Sequence, residues 1–343
     1  MTIGDSDYNI LLNSLNLQFK LIQDKIAQME LVKNAIEDTI DTFKNNKLVD
    51  WSNMLSLIHL TNMESTLKTQ YLNAGNITAR INLHAEYSVN KQGWFNWIYE
   101  QSNIQTGQRI LEIGCGDGRL WVDNKNNVRE LSGLQVFLSD ISDGMVNDAR
   151  RNIEAEYANE NGADSTAHKT GQSVSFKFNT FDCADIPYRN NYFDIVLANH
   201  VLFYCDNIES VLKEVKRVLK PGGVFICATY GASHMKEISD LVTEFDKRIV
   251  LAADNLYDKF GLDNGEDILI KHFNNVDVRK YNDHLLVDKA EPLIEYILSC
   301  HGNQNQYLLD RYSDFKAFIR NKLARKPFKI TKDAGLFICK DIW

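Results

Sequence analysis

Proline is scarce in this chain: four among 343 residues. There is no Pro/Gly/Ser-rich linker and no internal repeat, so domain boundaries have to be read from hydrophobic pattern. The six cysteines (Cys115, Cys183, Cys205, Cys227, Cys300 and Cys339) include no CxxC pair. That removes the usual signature of a structural zinc site, and no metal is expected. Most of these cysteines sit in apolar runs, which fits buried free thiols in a reducing compartment. Positive charge is also short. The net charge is -8 and the isoelectric point about 5.5, which argues against a broad phosphate-binding face, and so against a nucleic-acid partner, while leaving room for one local basic patch. The opening stretch "MTIGDSDYNILLNSL" carries acids where a secretory signal needs positive charge, and no apolar run reaches membrane-spanning length. A soluble cytoplasmic protein without a membrane partner is the expectation. Hydrophobic residues are plentiful at 44%. They suffice for one large domain with an appendage, or for two domains.

The first 75 residues differ from the rest. Leu12, Leu15, Phe19, Ile22, Ile26, Met29, Ile36, Ile40 and Phe43 follow steps of three and four, interrupted only by Lys33. This is a heptad seam on one long helix, roughly Tyr8 to Lys44. A second helix is expected from Asp50, with Trp51, Leu55, Ile58, Leu67 and Tyr71 on it. Two readings stay open: a helical hairpin packed on its own chain, or a coiled-coil self-association seam forming a homodimer. Leu11, Leu17, Leu21, Leu31 and Val32 add apolar surface beyond one stripe, so both could hold together. These heptads, with "IDTFKNNKLVDWSNMLSLIHL" (Ile40 to Leu60), resemble the dimerisation region of MerR-type regulators. The resemblance covers about a fifth of the chain. It implies a pairing device without the DNA-reading head.

From Arg80 onward strand and helix patterns alternate. Strands are expected at Arg109–Ile113, Gln135–Ser139, Val174–Phe181, Phe193–Ala198 and Val224–Thr229, with two more in "VDVRKY" (Val276–Tyr281) and "GLFICK" (Gly335–Lys340). Helices are expected over Ser142–Tyr157 and Ile208–Leu219, and "KPGG" (Lys220–Gly223) should end the second and turn the chain into the next strand. Ala158–Gln172 reads as an exposed polar loop. The result is an α/β fold: a Rossmann-like, doubly wound, mostly parallel seven-stranded sheet. An α-helical extension (1–75) precedes the main domain (76–343), which carries helical lid insertions at about 233–271 and 290–322.

The segment that bears on chemistry is "RILEIGCGDGRLW", Arg109 to Trp121. Gly114, Gly116 and Gly118 form G-x-G-x-G behind an apolar strand, but Arg119 stands where a dinucleotide fingerprint has its third glycine. Glu112 lies just before the turn. A pyrophosphate prefers bare amides and a helix N-terminus to a neighbouring carboxylate, whereas a cationic ligand accepts one. S-adenosylmethionine, with a sulfonium, an ammonium, a ribose and an adenine but no phosphate, fits better. Four stretches, "ILEIGCGDGRL", "VFLSDISDGMV", "FNTFDCADIPYRNNYFDIVLANHVLFY" and "VLKEVKRVLKPGGVFICATYG", resemble in order and separation the class I S-adenosylmethionine-dependent methyltransferases, especially small-molecule members of the methyltransferase 11 type. The resemblance runs from about Ile81 to Trp343.

That resemblance implies a role for each matched position. Gly114, Cys115 and Gly116, with Gly118 closing the turn, would contact the methionine part of the cofactor. Glu112 would order the loop and favour the ammonium. Asp140, at the end of the second strand, would take both ribose hydroxyls, with Ile141 over the adenine. Asp182 and Cys183 would meet the adenine amino group, and Asn199 would face the methionine end. Plain alternatives are a helix cap for Asp140 and a turn former for Asp182.

Methyl transfer needs alignment and exclusion of water more than it needs acid or base. A base is required only if the acceptor carries a proton. His200 and Tyr204 are the candidates; relatives often have histidine where Tyr204 stands, which leaves the base unassigned, and packing is the competing role for His200. His84, Tyr87 and Trp94 in "RINLHAEYSVNKQGWFNWIYEQ", and Tyr230, His234 and Met235 in "YGASHMKEI", are candidates for lining an acceptor pocket. Packing is the reading for Trp97. The expected function is methyl transfer to a small organic acceptor. The alternative is a non-catalytic module that senses a ligand or the cofactor, derived from a MerR-like fusion.

Overall fold

The computed structural model describes residues 74–158, 174–252, 255–300, 302–308, 311–324 and 326–341. The N-terminal heptad helices and nearly all of the polar stretch Ala158–Gln172 lie outside the described residues. Two compact units are present, one containing residues 74–86 and 289–319, the other 87–288 and 320–341. The first is helical. Its inner side is Leu83, Leu293, Ile294, Ile297, Leu308 and Phe315, all buried. The Arg80 guanidinium ties helix Ala74–Tyr87 to the end of helix Ala290–Leu298, donating to the Ser299 carbonyl at 2.7 Å and its hydroxyl at 3.3 Å.

The second unit is built on seven strands: β1 (Arg109–Ile113), β2 (Gln135–Asp140), β3 (Ser175–Thr180), β4 (Phe193–Asn199), β5 (Leu219–Tyr230), β6 (Asn275–Val287) and β7 (Phe328–Lys340). Their order in the sheet is β3-β2-β1-β4-β5-β7-β6. Neighbours are parallel from β3 to β5, and β7 is antiparallel to both β5 and β6. The fold is therefore the expected Rossmann-like, mostly parallel seven-stranded sheet. Strands β1 and β4 run almost wholly buried, as central strands covered on both faces must. The period of two separates their side chains. Leu111, Ile113 and Val196 enter one apolar layer with Phe137, Phe225 and Phe337. Ile110, Ile195 and Leu197 enter the other with Trp121, Val136 and Leu138.

The crossover helices follow their sequence signals. Helix Ile208–Val218 buries Val211, Leu212, Val215 and Val218, and the Asn207 side chain caps its start by accepting from the Ser210 amide. Lys220–Gly223 differs from expectation. The helix stops at Val218, β5 has already begun at Leu219, and the KPGG segment is a register shift inside the strand opposite Phe193–Ile195. β6 and β7 are also longer than their sequence pattern suggested. They pair over 13 positions, from Asn275↔Lys340 to Val287↔Phe328. The interval 233–271 is not continuous helix but three short ones, Lys236–Phe245, Leu256–Lys259 and Gly265–Leu269.

Candidate active site

The parallel arrangement delivers the ends of β1, β2, β3, β4 and β5 to one edge of the sheet, where the strand order reverses between β1 and β4. The glycine turn follows β1. Gly114, Gly116 and Gly118 all have positive φ, at 65°, 53° and 79°. At Gly114 the conformation and the space agree: a Cβ there would meet Val201 Cγ2 at 2.3 Å. Gly116 is the reverse case, since a Cβ would meet nothing within 4 Å. Its backbone faces open space. Gly118 opens helix Arg119–Asp123 and approaches Ala149 and Ile153 of helix Asp143–Ala158. Cys115 is buried; its amide donates to the Ser139 carbonyl at 2.8 Å, which fixes the turn against β2.

Asp140 closes β2 and is buried. Its Oδ2 accepts the Gly116 amide at 3.1 Å and its Oδ1 the Ser142 amide at 3.0 Å. Burial raises the pKa of the carboxyl, opposed by the amides of Ser142, Gly116 and Ile141. An ionised carboxyl can accept at more sites than these amides occupy, so a ligand hydroxyl can still donate to it. The cap reading is accurate in part, because the Ser142 amide is held at the start of helix Asp143–Ala158. Ile141 beside it is 46% exposed, an unusual position for isoleucine.

Glu112 points into the apolar layer beside β1 and is 2% exposed. Its Oε2 accepts from the Trp121 indole N–H at 2.6 Å and its Oε1 from the Asn199 amide nitrogen at 2.9 Å. Desolvation raises its pKa to about 7 even though both hydrogen bonds favour the ionised form. Asn199, the last residue of β4, thus has its amide nitrogen held by Glu112, while its Oδ1 is buried with no hydrogen-bond partner among the described residues. A buried acceptor left open at the end of a central strand calls for a donor.

Beyond β3, the Asp182 side chain is exposed and accepts the Ala184 amide at 2.8 Å, an Asx turn. Cys183 is half-buried, with its Sγ 3.5 Å from that of Cys205.

The candidates after β4 and β5 meet in an aromatic cluster. His200 has φ 57° and lies nearly parallel to Trp94, ring centroids 5.3 Å apart. Tyr230, the last residue of β5, is 6.1 Å from His200 and 5.2 Å from His234. Burial, and then the charge of Lys332, push the His200 pKa down to about 4, so the imidazole is neutral at physiological pH. Trp94 Nε1 is buried without a partner among the described residues. Tyr204 stands in the short turn Leu202–Tyr204, 38% exposed and edge-on to Phe203. Met235 is buried at the start of helix Lys236–Phe245. Tyr87 is buried at the end of its helix. His84 belongs to the helical unit, where its ring meets Tyr296 edge-on.

Sequence reasoning missed three participants. Trp121 supplies the indole for Glu112. Tyr281 of β6 packs against both Trp94, at 5.2 Å, and Trp97, at 5.1 Å. Lys332 of β7, held by Asp283 at 2.8 Å in a buried ion pair, sets its ammonium over the Tyr281 ring. A tryptophan among apolar residues reads as core. The strand pairing that brings Tyr281 to Trp94 has no short-range signal. A polar cleft of about 570 Å³ lies at the opposite edge of the sheet, around Asp194, Lys220, Gly222 and Arg279. It gathers the starts of strands, not the ends where open α/β sheets bind ligands. Among the described residues no group of three or more potential metal ligands occurs, and no helix is long and apolar enough to cross a membrane.

Comparison with known proteins gives the same direction. Residues 111–227 match the family model described as methyltransferase domain. The chain is 32% identical over 129 residues to sterol 4-C-methyltransferase strm-1 of Caenorhabditis elegans, covering 38% of this chain and 33% of that protein. It is 27% identical over 167 residues to the ubiquinone/menaquinone biosynthesis C-methyltransferase UbiE of Vibrio cholerae, covering 49% and 52%. The aligned region thus spans a third to a half of these relatives' length. Among solved structures, phosphoethanolamine N-methyltransferase 2 of Haemonchus contortus, crystallised with S-adenosyl-L-methionine, aligns at 19% identity with a TM-score of 0.44, over 78% of this chain and 57% of that one. No likeness to a MerR-type regulator is among these matches. The family match covers the glycine turn, Asp140, Asp182, Asn199 and His200, so residues 111–227 match a methyltransferase domain.

Proposed function

We propose that this chain binds S-adenosylmethionine at the carboxyl edge of its sheet and transfers the methyl group to a small organic acceptor. When bound, the cofactor supplies an electrophilic methyl on a sulfonium; the protein's task is alignment. The open backbone face of Gly116 admits the ligand to the turn. The Asp140 carboxyl accepts from the ribose hydroxyls, and exposed Ile141 covers the adenine. Asp182 and Cys183 border the adenine side. The single observation that carries the reading is the Asn199 Oδ1, buried beside the glycine turn's strand with no hydrogen-bond partner among the described residues. An ammonium group is the donor it lacks. Glu112 holds that amide in register and, at its raised pKa, can shed a proton when a cation arrives.

On the acceptor side, Trp94, His200 and Tyr230 form an aromatic wall suited to a flat or apolar acceptor. His200 is neutral, so its ring can accept a hydrogen bond and position the acceptor; at a pKa of about 4 it is too weak a base to take a proton from an alcohol. Tyr204, at the rim, contributes surface. The sterol and quinone enzymes named above act on small molecules, which supports this acceptor class. The N-terminal heptads support a homodimer.

Calorimetric titration with S-adenosylmethionine, followed by an assay for S-adenosylhomocysteine release with a pool of small metabolites, tests the reading. Binding with turnover supports it. Absence of binding refutes it, and binding with no release from any pool favours a cofactor-sensing module.

A further inference from the structure

The loops that follow β3 and β4 each carry a cysteine, and their sulfurs face each other. Cys183 Sγ and Cys205 Sγ are 3.5 Å apart, from positions 22 residues apart in sequence. Both side chains are half-buried, whereas Cys115, Cys227 and Cys339 are buried in the core and Cys300 lies in the helical unit. Two thiols at this separation need to approach by only about 1.5 Å to reach a bonded distance of about 2.05 Å. We propose that Cys183 and Cys205 are an oxidisable dithiol that takes small-molecule disulfides, and that their internal disulfide weakens cofactor binding. The second half rests on the functional reading above.

The pair is asymmetric. The contact with Cys183 holds the Cys205 thiol below its usual range, with burial opposing, Asp182 and Asp206 also opposing, and Lys259 assisting. The same contact and burial hold Cys183 well above its usual range. Either thiol can open the exchange, with the same products. The Cys205 thiolate, for instance, attacks one sulfur of the small disulfide RSSR, forming Cys205–S–S–R and releasing RS⁻. Cys183 then attacks the Cys205 sulfur and expels a second RS⁻. Two protons leave the protein thiols and two RSH form; RSSR is the oxidant and is reduced.

The bond would tie together the loops that follow β3 and β4 at the cofactor edge. Cys183 is adjacent to Asp182, and Cys205 closes the turn that begins just after His200. Pulling the Cys183 backbone toward the β4 loop displaces the adenine border. Linkage makes the effect reciprocal: a cofactor that prefers the dithiol form stabilises it. For each tenfold preference, saturating cofactor should shift the reduction potential of the pair about 30 mV more positive.

The test uses the full chain. Reduced protein is incubated with oxidised glutathione, peptides are mapped by mass spectrometry under non-reducing conditions, and S-adenosylmethionine is titrated calorimetrically before and after. The expected result is a Cys183–Cys205 link, cofactor affinity at least tenfold weaker in the oxidised protein, and recovery with dithiothreitol. Cys205→Ser should form no link and should bind cofactor like reduced wild type throughout. A folded chain with stable mixed disulfides in place of the link overturns the proposal, as does a link that leaves affinity unchanged. If the reduced protein fails to bind at all, the functional reading fails with the coupling, and the peptide map alone decides the dithiol.

Discussion

Replacing Glu112 with glutamine isolates the electrostatic cost at the heart of the site. The wild-type carboxyl sits 2% exposed, and burial raises its pKa from 4.5 to about 7. An acid whose folded pKa is raised stabilises the fold below its unfolded pKa and loses that contribution as pH rises through the folded value. The window is therefore pH 4.5 to 7. At about 1.4 kcal/mol per unit the full loss is about 3 kcal/mol, of which about 2–3 kcal/mol falls between pH 5 and 8. Glutamine keeps the volume and cannot ionise. It offers one acceptor to two donors, Trp121 Nε1 and Asn199 Nδ2. Asn199 can turn its amide over and use its open oxygen, so the baseline cost should stay near 1 kcal/mol. The informative quantity is the slope. Urea unfolding at pH 5 and pH 8 should show the wild type losing about 2–3 kcal/mol more than Glu112→Gln. Parallel profiles for the two proteins would mean that the carboxyl ionises normally and that its described burial is wrong.

Gly114→Ala should destabilise the chain by roughly 2–4 kcal/mol, from φ 65° and a Cβ 2.3 Å from Val201 Cγ2. Val201→Ala in the same chain should return part of that by relieving the contact, as read by thermal unfolding. The His200 ring protons should titrate with a midpoint near 4 in an NMR pH series, well below a free imidazole; a midpoint near 6.5 would contradict its burial against Trp94. For the N-terminal heptads, light scattering should report a dimer that dissociates or becomes insoluble on removal of residues 1–75, and a monomeric full-length chain would refute the pairing.

Much of this architecture was legible because central parallel strands are short, apolar and punctuated. Arg109–Ile113 is found with the ends expected of it, bounded by polar residues before and the glycine turn after. β6 and β7 were harder. Their outer halves, around Asn282–His284 and Thr331–Asp333, are polar because pairing with each other holds them, and a periodicity argument weighs only burial. At the site, the glycine turn and Asp140 were readable from local sequence, since one element end determines each. The Glu112–Asn199–Trp121 arrangement was not. Its members lie on β1, β4 and a helix, and Glu112 and Asn199 are 87 positions apart, so no spacing predicts the contact. The same holds for the aromatic cluster, where Trp94, His200, Tyr230 and Tyr281 come from four separate elements. Cys183 and Cys205 read as two unrelated thiols until β3 and β4 place their loops side by side.

The most direct measurement is a calorimetric titration of S-adenosylmethionine into wild type and Asp140→Ala, with circular dichroism to confirm folding of both. If the carboxyl edge of the sheet is a cofactor site, wild type binds with one-to-one stoichiometry, and the variant, without its diol acceptor, binds at least about a hundredfold more weakly. Equal affinity in the two proteins, or no binding by the folded wild type, would contradict it.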